Sequence, residues 1–226
     1  MLMPTDLIES FEISKRTVFF GGAGVSVASG LPDFRTLNAT TSYRTEQLLR
    51  PEKVETYDFQ SFFERFMYYP EALPNIAHHL LAKWKIPIIT QNIDGLHQKA
   101  GSEEVHELHG SIHQSICTSC TTTTEQTAFT KCPVCGGFLR PDITLYSETP
   151  KMEALQAAVK LLDDVDFLIV GGTSLSVSPA MKLVRYAGTD NILLVNKEPT
   201  PLDHRARWVR RSDLATILTM LDKIKQ

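Results

Sequence analysis

Short apolar runs that stop at glycine or asparagine alternate along this chain with longer stretches in which apolar side chains return every three or four residues. The runs at 16–20, 86–90, 167–170 and 192–195 are too short for helices and rich in β-branched and aromatic residues, so each predicts a buried strand. The first ends in Gly21-Gly22-Ala23-Gly24, the third in Gly171-Gly172 and the fourth at Asn196. After the first, residues 25–29 are expected to open a helix. Met152, Leu155, Val159 and Leu162 recur at helical spacing, as do Leu214, Ile217, Leu218, Leu221 and Ile224. Ser178 as cap and Pro179 at the first helical position predict a further helix ending near Gly188. These apolar stripes are core-facing surfaces.

Two segments break the alternation. Residues 37–70 begin polar and become aromatic at helical spacing through Phe59, Phe62, Phe63 and Phe66, and residues 112–139 hold the cysteines and a threonine run at 121–124. They predict a small lobe inserted into a larger domain formed by residues 1–36, 71–111 and 140–226, with the threonine run as a flexible tip. The larger domain reads as α/β: a Rossmann-like parallel sheet with helices on both faces, its ligands expected at the carboxyl ends of the strands.

A chain of 226 residues suits one such domain with an insertion. Hydrophobic residues at 42% and charged residues at 22%, without any run long enough to span a bilayer, argue against a membrane protein. The net charge of −3 leaves no footprint for nucleic acid, and Arg205, Arg207, Arg210 and Arg211 read as a solvated surface. The N-terminus, with Pro4, Asp6 and Glu9, lacks the basic and apolar regions of a secretory signal, so the expected compartment is the cytoplasm. Nothing in the pattern specifies an oligomer.

Cys117, Cys120, Cys132 and Cys135 are the only cysteines, arranged as two C-x-x-C pairs. Thiolates two residues apart can turn toward one tetrahedral ion, with Pro133 and Gly136-Gly137 supplying a tight knuckle. Four sulfurs leave no open coordination position, so zinc here is expected to hold a subdomain together. A disulfide pair would need an oxidising compartment, for which the N-terminus gives no sign. The chemistry is sought elsewhere. Gly22 and Gly24 after a strand suit close backbone approach to a pyrophosphate, with a helix N-terminus behind them. Val27 stands where the dehydrogenase fingerprint has glycine, and no strand ending in Asp or Glu follows about 20 residues on, so ordinary hydride transfer is not indicated.

The turn continues as Ser26-Val27-Ala28-Ser29-Gly30-Leu31-Pro32-Asp33-Phe34-Arg35. Further on stand Thr90-Gln91-Asn92-Ile93-Asp94-Gly95-Leu96-His97, Glu107-Leu108-His109-Gly110-Ser111, Leu139-Arg140-Pro141-Asp142, Gly172-Thr173-Ser174-Leu175 and Asn196-Lys197-Glu198-Pro199. In these motifs and their order the sequence resembles the sirtuins, the NAD-dependent protein lysine deacylases. The resemblance implies that Gly22, Ala23, Gly24, Val27, Phe34 and Arg35 line the phosphates and ribose of NAD, that Gln91 and His109 stand near the nicotinamide ribose, and that Ile93 and Asp94 hold the carboxamide. Gly172, Thr173 and Ser174 would take the phosphate end, Asn196 the adenosine ribose, and Asp213 and Leu214 the adenine. The acyl oxygen of an acylated lysine would attack the anomeric carbon as nicotinamide leaves. His109 would be the general base and Asn92 would orient a water or a ribose hydroxyl.

The resemblance also implies that the substrate protein adds a strand beside Ile143, Thr144, Leu145 and Tyr146. Phe63 and Phe66 align where succinyl-specific members carry tyrosine and arginine, so acetyl or longer neutral chains are expected over succinyl. Thr144 replaces a usual valine, Ser147 a usual glycine, Gly21 a usual threonine and Ala28 a usual polar residue. Two other functions remain open: mono-ADP-ribosyl transfer with the same bond cleavage, and a non-catalytic NAD-sensing zinc module. His97 reads as structural, and His78, His79, His106, His113 and His204 show no ligand spacing. Ser26 lacks the elbow of a nucleophile and reads as a hydrogen-bonding residue of the cofactor turn.

Overall fold

In chain order the protein folds as α1 (Thr5–Ile13), β1 (Thr17–Gly21), α2 (Phe34–Thr40), α3 (Thr45–Leu48), α4 (Tyr57–Phe66), α5 (Ile76–Lys83), β2 (Ile88–Thr90), α6 (Leu96–Lys99) and β3 (Val105–Glu107). There follow β4 (Gly110–Cys117), β5 (Thr123–Thr124), β6 (Leu139–Ile143), α7 (Met152–Asp163), β7 (Phe167–Gly171), α8 (Ala180–Arg185), β8 (Ile192–Val195), β9 (Trp208–Arg210) and α9 (Leu214–Asp222). The computed structural model describes residues 3–40, 44–125, 127–176, 178 and 180–224, apart from the side chains of Phe34, Thr40 and Ala180.

Six strands form one parallel sheet in the order β3-β2-β1-β7-β8-β9. The chain winds outward from β1 to β3 and later resumes on the other side of β1 with β7, so a crevice opens between the ends of β1 and β7. Side chains alternate across the sheet. Phe19, Ile88, Phe167, Ile169, Leu193 and Trp208 pack against α1, α5 and α9, and Val18, Phe20, Ile89, Leu168, Val170 and Leu194 pack against α7 and α8. This is the expected Rossmann-like sandwich. Strands β3 and β9 extend it beyond the four anticipated, and both lie at its edges with mostly half-buried residues and no continuous apolar run.

The helix expected after β1 is replaced by two 3-10 turns, Ala23–Val25 and Val27–Ser29. Gly30 in the left-handed region ends the second turn. Asn75, at the N-cap of α5, donates to Val25 O (2.8 Å) and Ser29 Oγ (2.9 Å), bonds that hold the segment as a loop against α5. The helix expected from Ser178 is α8, while Pro179 lies outside the described residues.

A second sheet, β5-β4-β6, is antiparallel. Part of the expected threonine tip is strand, because Thr123 and Thr124 pair with Ile116 and Ser115. Helix α4, capped by Thr56 on Phe59 N (3.3 Å), buries Phe59, Phe62 and Phe63 against Ile112, Ile143 and Leu145. Around the cysteines the buried apolar cluster among the described residues is Cys117, Cys132 and Leu139, too little to hold a ribbon by packing alone. No helix among the described residues is long and apolar enough to cross a membrane.

Helix α5 brings His78 within 4.8 Å of His97 on α6, ring centre to ring centre, with both rings buried. His78 Nδ1 accepts from Asn75 N (3.2 Å), which places the proton of the neutral ring on Nε2. Neither nitrogen of His97 has a partner among the described residues. Burial therefore disfavours the charged rings, pushing His78 down to about 4 and His97 to about 3. The unfolded chain binds these protons from about pH 6.5 downward while the fold refuses them, so stability is lost as pH falls through that window. Denaturant titrations at pH 6.5 and 5 should show a loss on the order of 2 kcal/mol per ring. Equal stability at the two pH values would mean that the folded rings accept protons freely.

Candidate active site at the carboxyl ends of the strands

All six parallel strands end on one edge, and the turns leaving β1, β2, β7, β8 and β9, together with the residues just after β3, carry Gly22 to Gly24, Gln91 to Asp94, His109, Gly172 to Ser174, Asn196 and Asp213. The two glycine turns touch. Gly22 N donates to Gly171 O (3.3 Å) and Gly24 N to Gly172 O (2.8 Å), and a Cβ at Gly24 would stand 2.8 Å from Gly172 Cα. The glycines thus allow backbone to meet backbone, and their amides are committed to that contact rather than free for a phosphate. With Val25 N on Gly22 O and Ser26 N on Ala23 O, the amide of this turn left without a partner among the described residues is that of Ala23. Gln91 spans the same crevice, donating from Nε2 to Thr173 Oγ1 (2.8 Å) and Gly21 O (3.3 Å).

Ser26, with 1% exposure, accepts from Asn92 Nδ2 (3.0 Å) and donates to Asp94 Oδ2 (2.6 Å). The other carboxylate oxygen accepts from Leu96 N (3.0 Å), which locks the buried Asp94 side chain in one orientation. The bond from one of the two Asn92 Nδ2 hydrogens to Ser26 fixes that side chain, whose Oδ1 has no partner among the described residues. His109 Nδ1 lies 3.0 Å from Gln91 O; a carbonyl only accepts, so Nδ1 carries the proton and Nε2 has the free lone pair. Burial lowers the His109 pKa from its ordinary value, and the bond to Gln91 O opposes the shift without reversing it. The ring is a neutral base at neutral pH.

The remaining sites expected for a cofactor are distributed along this edge. Val27 and Arg35 are exposed beside the turn, and the Phe34 side chain lies outside the described residues. Asn196 Nδ2 donates to Glu198 O (2.8 Å). Asp213 caps α9 through Thr216 N (3.2 Å), and the Leu214 side chain is committed to the core beneath Gly171.

On the small-lobe side, Thr144 N donates to His109 O (2.8 Å) and Tyr146 N to Leu49 O (2.9 Å). Ile143 and Leu145 point into the lobe core with Phe63, Phe66 packs against that core, and Tyr146 is exposed. Arg140 donates to Ile143 O (3.0 Å) and Glu148 Oε1 (2.8 Å), while Glu148 Oε2 accepts from Leu145 N (2.8 Å). Both carboxylate oxygens are used, so the segment closes into a fixed loop in which Ser147 adopts φ +76°, a conformation natural to glycine.

The cysteine sulfurs lie within 4.8 Å of one another, with Cys117 to Cys135 at 3.5 Å and Cys120 to Cys132 at 3.7 Å. A tetrahedral zinc with Zn–S near 2.3 Å needs about 3.8 Å between sulfurs, so the set fits that ion. Ser119 N and Gly137 N point at the sulfurs of Cys117 and Cys135 from 3.4 Å, which favours thiolates. Bonds to Thr122, first from its hydroxyl and then from its backbone, draw the Cys120 thiol down to about 6.

The model of the Sir2 family matches residues 22–179. The chain belongs to the Sir2 family. A relative from Clostridium tetani (strain Massachusetts / E88), named NAD-dependent protein deacetylase, is 41% identical over 94% of this chain and 94% of its own length. The solved structure of a Sir2 homologue–NAD complex superposes with a TM-score of 0.90 at 31% identity, covering 99% of this chain and 94% of that one. A Sir2–p53 peptide–NAD+ complex gives 0.84 at 30% identity over 98% of both chains.

Within this Sir2 framework several positioning groups escape sequence reasoning: the Asn75 amide on the cofactor turn, the Arg140–Glu148 clamp and the bond from His113 to the Asp94 carbonyl. Asn75 carried a local signal, a capping-box spacing to His78, and Arg140 stands in one of the ordered motifs without an assigned role there. For the metal the consequence is direct. Cys132→Ser should lower bound zinc from one ion per chain toward none and make 110–143 protease-sensitive, while the parallel sheet stays folded. Elemental analysis with limited proteolysis checks this, and retained zinc would remove Cys132 from the ligand set.

Proposed function

We propose that this Sir2-family protein is an NAD-dependent protein lysine deacylase that passes the acyl group of a modified lysine to ADP-ribose and releases nicotinamide. The observation that carries the reading is His109 Nε2, left as a free base while Nδ1 is held on the carbonyl of Gln91, the residue before Asn92, on the edge where the parallel strands end. Bound NAD supplies an anomeric carbon with nicotinamide as its leaving group. The Ile93 carbonyl is taken by Ile112 N (2.9 Å), so the Ile93 N–H is the backbone group left to donate to a carboxamide oxygen. Asp94, with one lone pair on each oxygen already engaged, keeps capacity to accept from the carboxamide NH₂. Ala23 N–H and the Thr173 hydroxyl, which accepts from Gln91 and Leu175 and so has its proton to give, suit the phosphates. His109 Nε2 takes a proton from a ribose hydroxyl, and Asn92 Oδ1 accepts from a water or a second hydroxyl.

The substrate class is acylated lysine in a protein segment, laid beside Thr144 to Tyr146 where the Arg140–Glu148 clamp holds the backbone. Phe63, buried in the lobe core where it stacks on Phe59 and meets Phe129 edge-on, and Phe66 at its margin form an apolar wall that favours a neutral acyl group, with the exposed Arg65 guanidinium 5.2 Å from the Phe66 ring centre. Four free thiols gathered for a metal suit a reducing compartment, in keeping with the cytoplasm.

Purified, zinc-loaded protein given NAD and an acetyl-lysine peptide should form nicotinamide and O-acetyl-ADP-ribose together, read by mass spectrometry. His109→Ala should reduce turnover on the order of 10²-fold or more. Because burial lowers the His109 pKa, the acid limb of the wild-type rate should have its midpoint below 6.5. Nicotinamide release with ADP-ribose carried onto protein would replace deacylation by ADP-ribosyl transfer. Acetyl and longer neutral acyl peptides should be turned over faster than the succinyl peptide, and the reverse ranking would show that a cation reaches the acyl site.

A further inference from the structure

The small lobe grips the turn that carries Asp94 at two points. Ile112 N, on β4, donates to Ile93 O, and the next side chain, His113, places Nε2 3.1 Å from Asp94 O. A carbonyl only accepts, so His113 Nε2 carries a proton and donates. The same ring lies on Gly95: a Cβ there would come within 2.7 Å of its Cδ2 and Nε2, and Gly95 has φ +70°. Strand β4 therefore fixes the peptide unit between Asp94 and Gly95 from outside, while Ser26 and Leu96 N fix the Asp94 carboxylate from inside. His113 is exposed and four residues before Cys117 on the same strand, so it connects the cysteine ribbon to this turn without contributing to the buried core.

We propose that His113 is a positioning residue for the nicotinamide end of the cofactor, aligning Ile93 N–H and Asp94 through its bond to the Asp94 carbonyl. This rests on the reading above that those two residues take the carboxamide. One lost hydrogen bond predicts that His113→Ala weakens NAD binding by about three- to tenfold in calorimetry. ADP-ribose lacks the nicotinamide, so its affinity should be unchanged. His113→Gln, whose amide nitrogen can donate to the same carbonyl, should recover affinity for NAD, and His113→Leu should not. Hydrogen exchange at Leu96 N–H, bonded to Asp94 Oδ1, should accelerate in the alanine and leucine variants only.

Equal weakening of NAD and ADP-ribose would assign His113 a general structural role and overturn the inference, as would unchanged NAD affinity in the alanine variant. Since the comparison needs binding alone, wild-type protein that binds both ligands but releases no lysine from any acyl peptide would sink the deacylase reading and still decide the role of His113. Absence of NAD binding by the wild type would overturn both.

Discussion

Backbone contact between the turn after β1 and the turn after β7 is the constraint from which the cleft follows. Gly24 N meets Gly172 O at 2.8 Å, and there is no room for a Cβ on Gly24, nor on Gly172, where it would stand 2.5 Å from Val25 N. A side chain at either position would push the turns apart by ångströms, and the segment leading to Ser26 would leave with them. The glycines that look like a pyrophosphate cradle act first on the protein itself, and the cofactor turn inherits its shape from that contact. With the usual helix after β1 reduced to two 3-10 turns, the fold forgoes a helix N-terminus and its dipole at this point.

The electrostatic problem created at the cleft is a buried carboxylate. Asp94 is 8% exposed, and an unpaired charge there would carry a large desolvation cost. Instead of a cation, the fold supplies neutral donors, the Ser26 hydroxyl and Leu96 N–H, each aimed at a different oxygen. Neutral donors satisfy the charge without consuming it, which leaves capacity for an incoming amide. Removing the Ser26 hydroxyl would strand both Asp94 Oδ2 and the Asn92 amide, at about 1–3 kcal/mol for each buried group left unpaired. The same short network sets which face of Asn92 is presented, so one serine hydroxyl orients both Asn92 and Asp94.

Much of this was legible in the sequence. Strands β1, β2, β7 and β8 are continuous apolar runs because both faces of a central parallel strand are covered, and α4, α7 and α9 announce themselves by period. Edge strands β3 and β9 carry half-buried residues, so their pattern resembles loop. The failed helix after β1 shows what local pattern omits, since the side chain that holds those turns, Asn75, is 50 residues away from Val25. Among the groups proposed for function, the four cysteines, Asn92, Asp94 and His109 stand in ordered motifs. The groups that aim them are joined across long separations, 68 residues from Ser26 to Asp94, and no spacing rule reports such a bond.

The two lobes also divide the work on physical grounds. The parallel sheet is held by two large apolar layers and needs no metal, whereas the ribbon has a cluster of three buried residues around its cysteines. Yet the ribbon's strands β4 and β6 reach the cleft, where β4 bonds Ile93 and Asp94 and the end of β6 leads into Thr144, bonded to the carbonyl of His109. A weakly packed element therefore sets positions that the proposed chemistry requires to within fractions of an ångström. A closed four-thiolate site resolves that tension, because metal–ligand bonds supply rigidity where apolar area cannot. Strand β4 is the physical link between that site and the cleft, running from the bonds that Ile112 and His113 make to the turn carrying Asp94 back to Cys117 in the thiolate set.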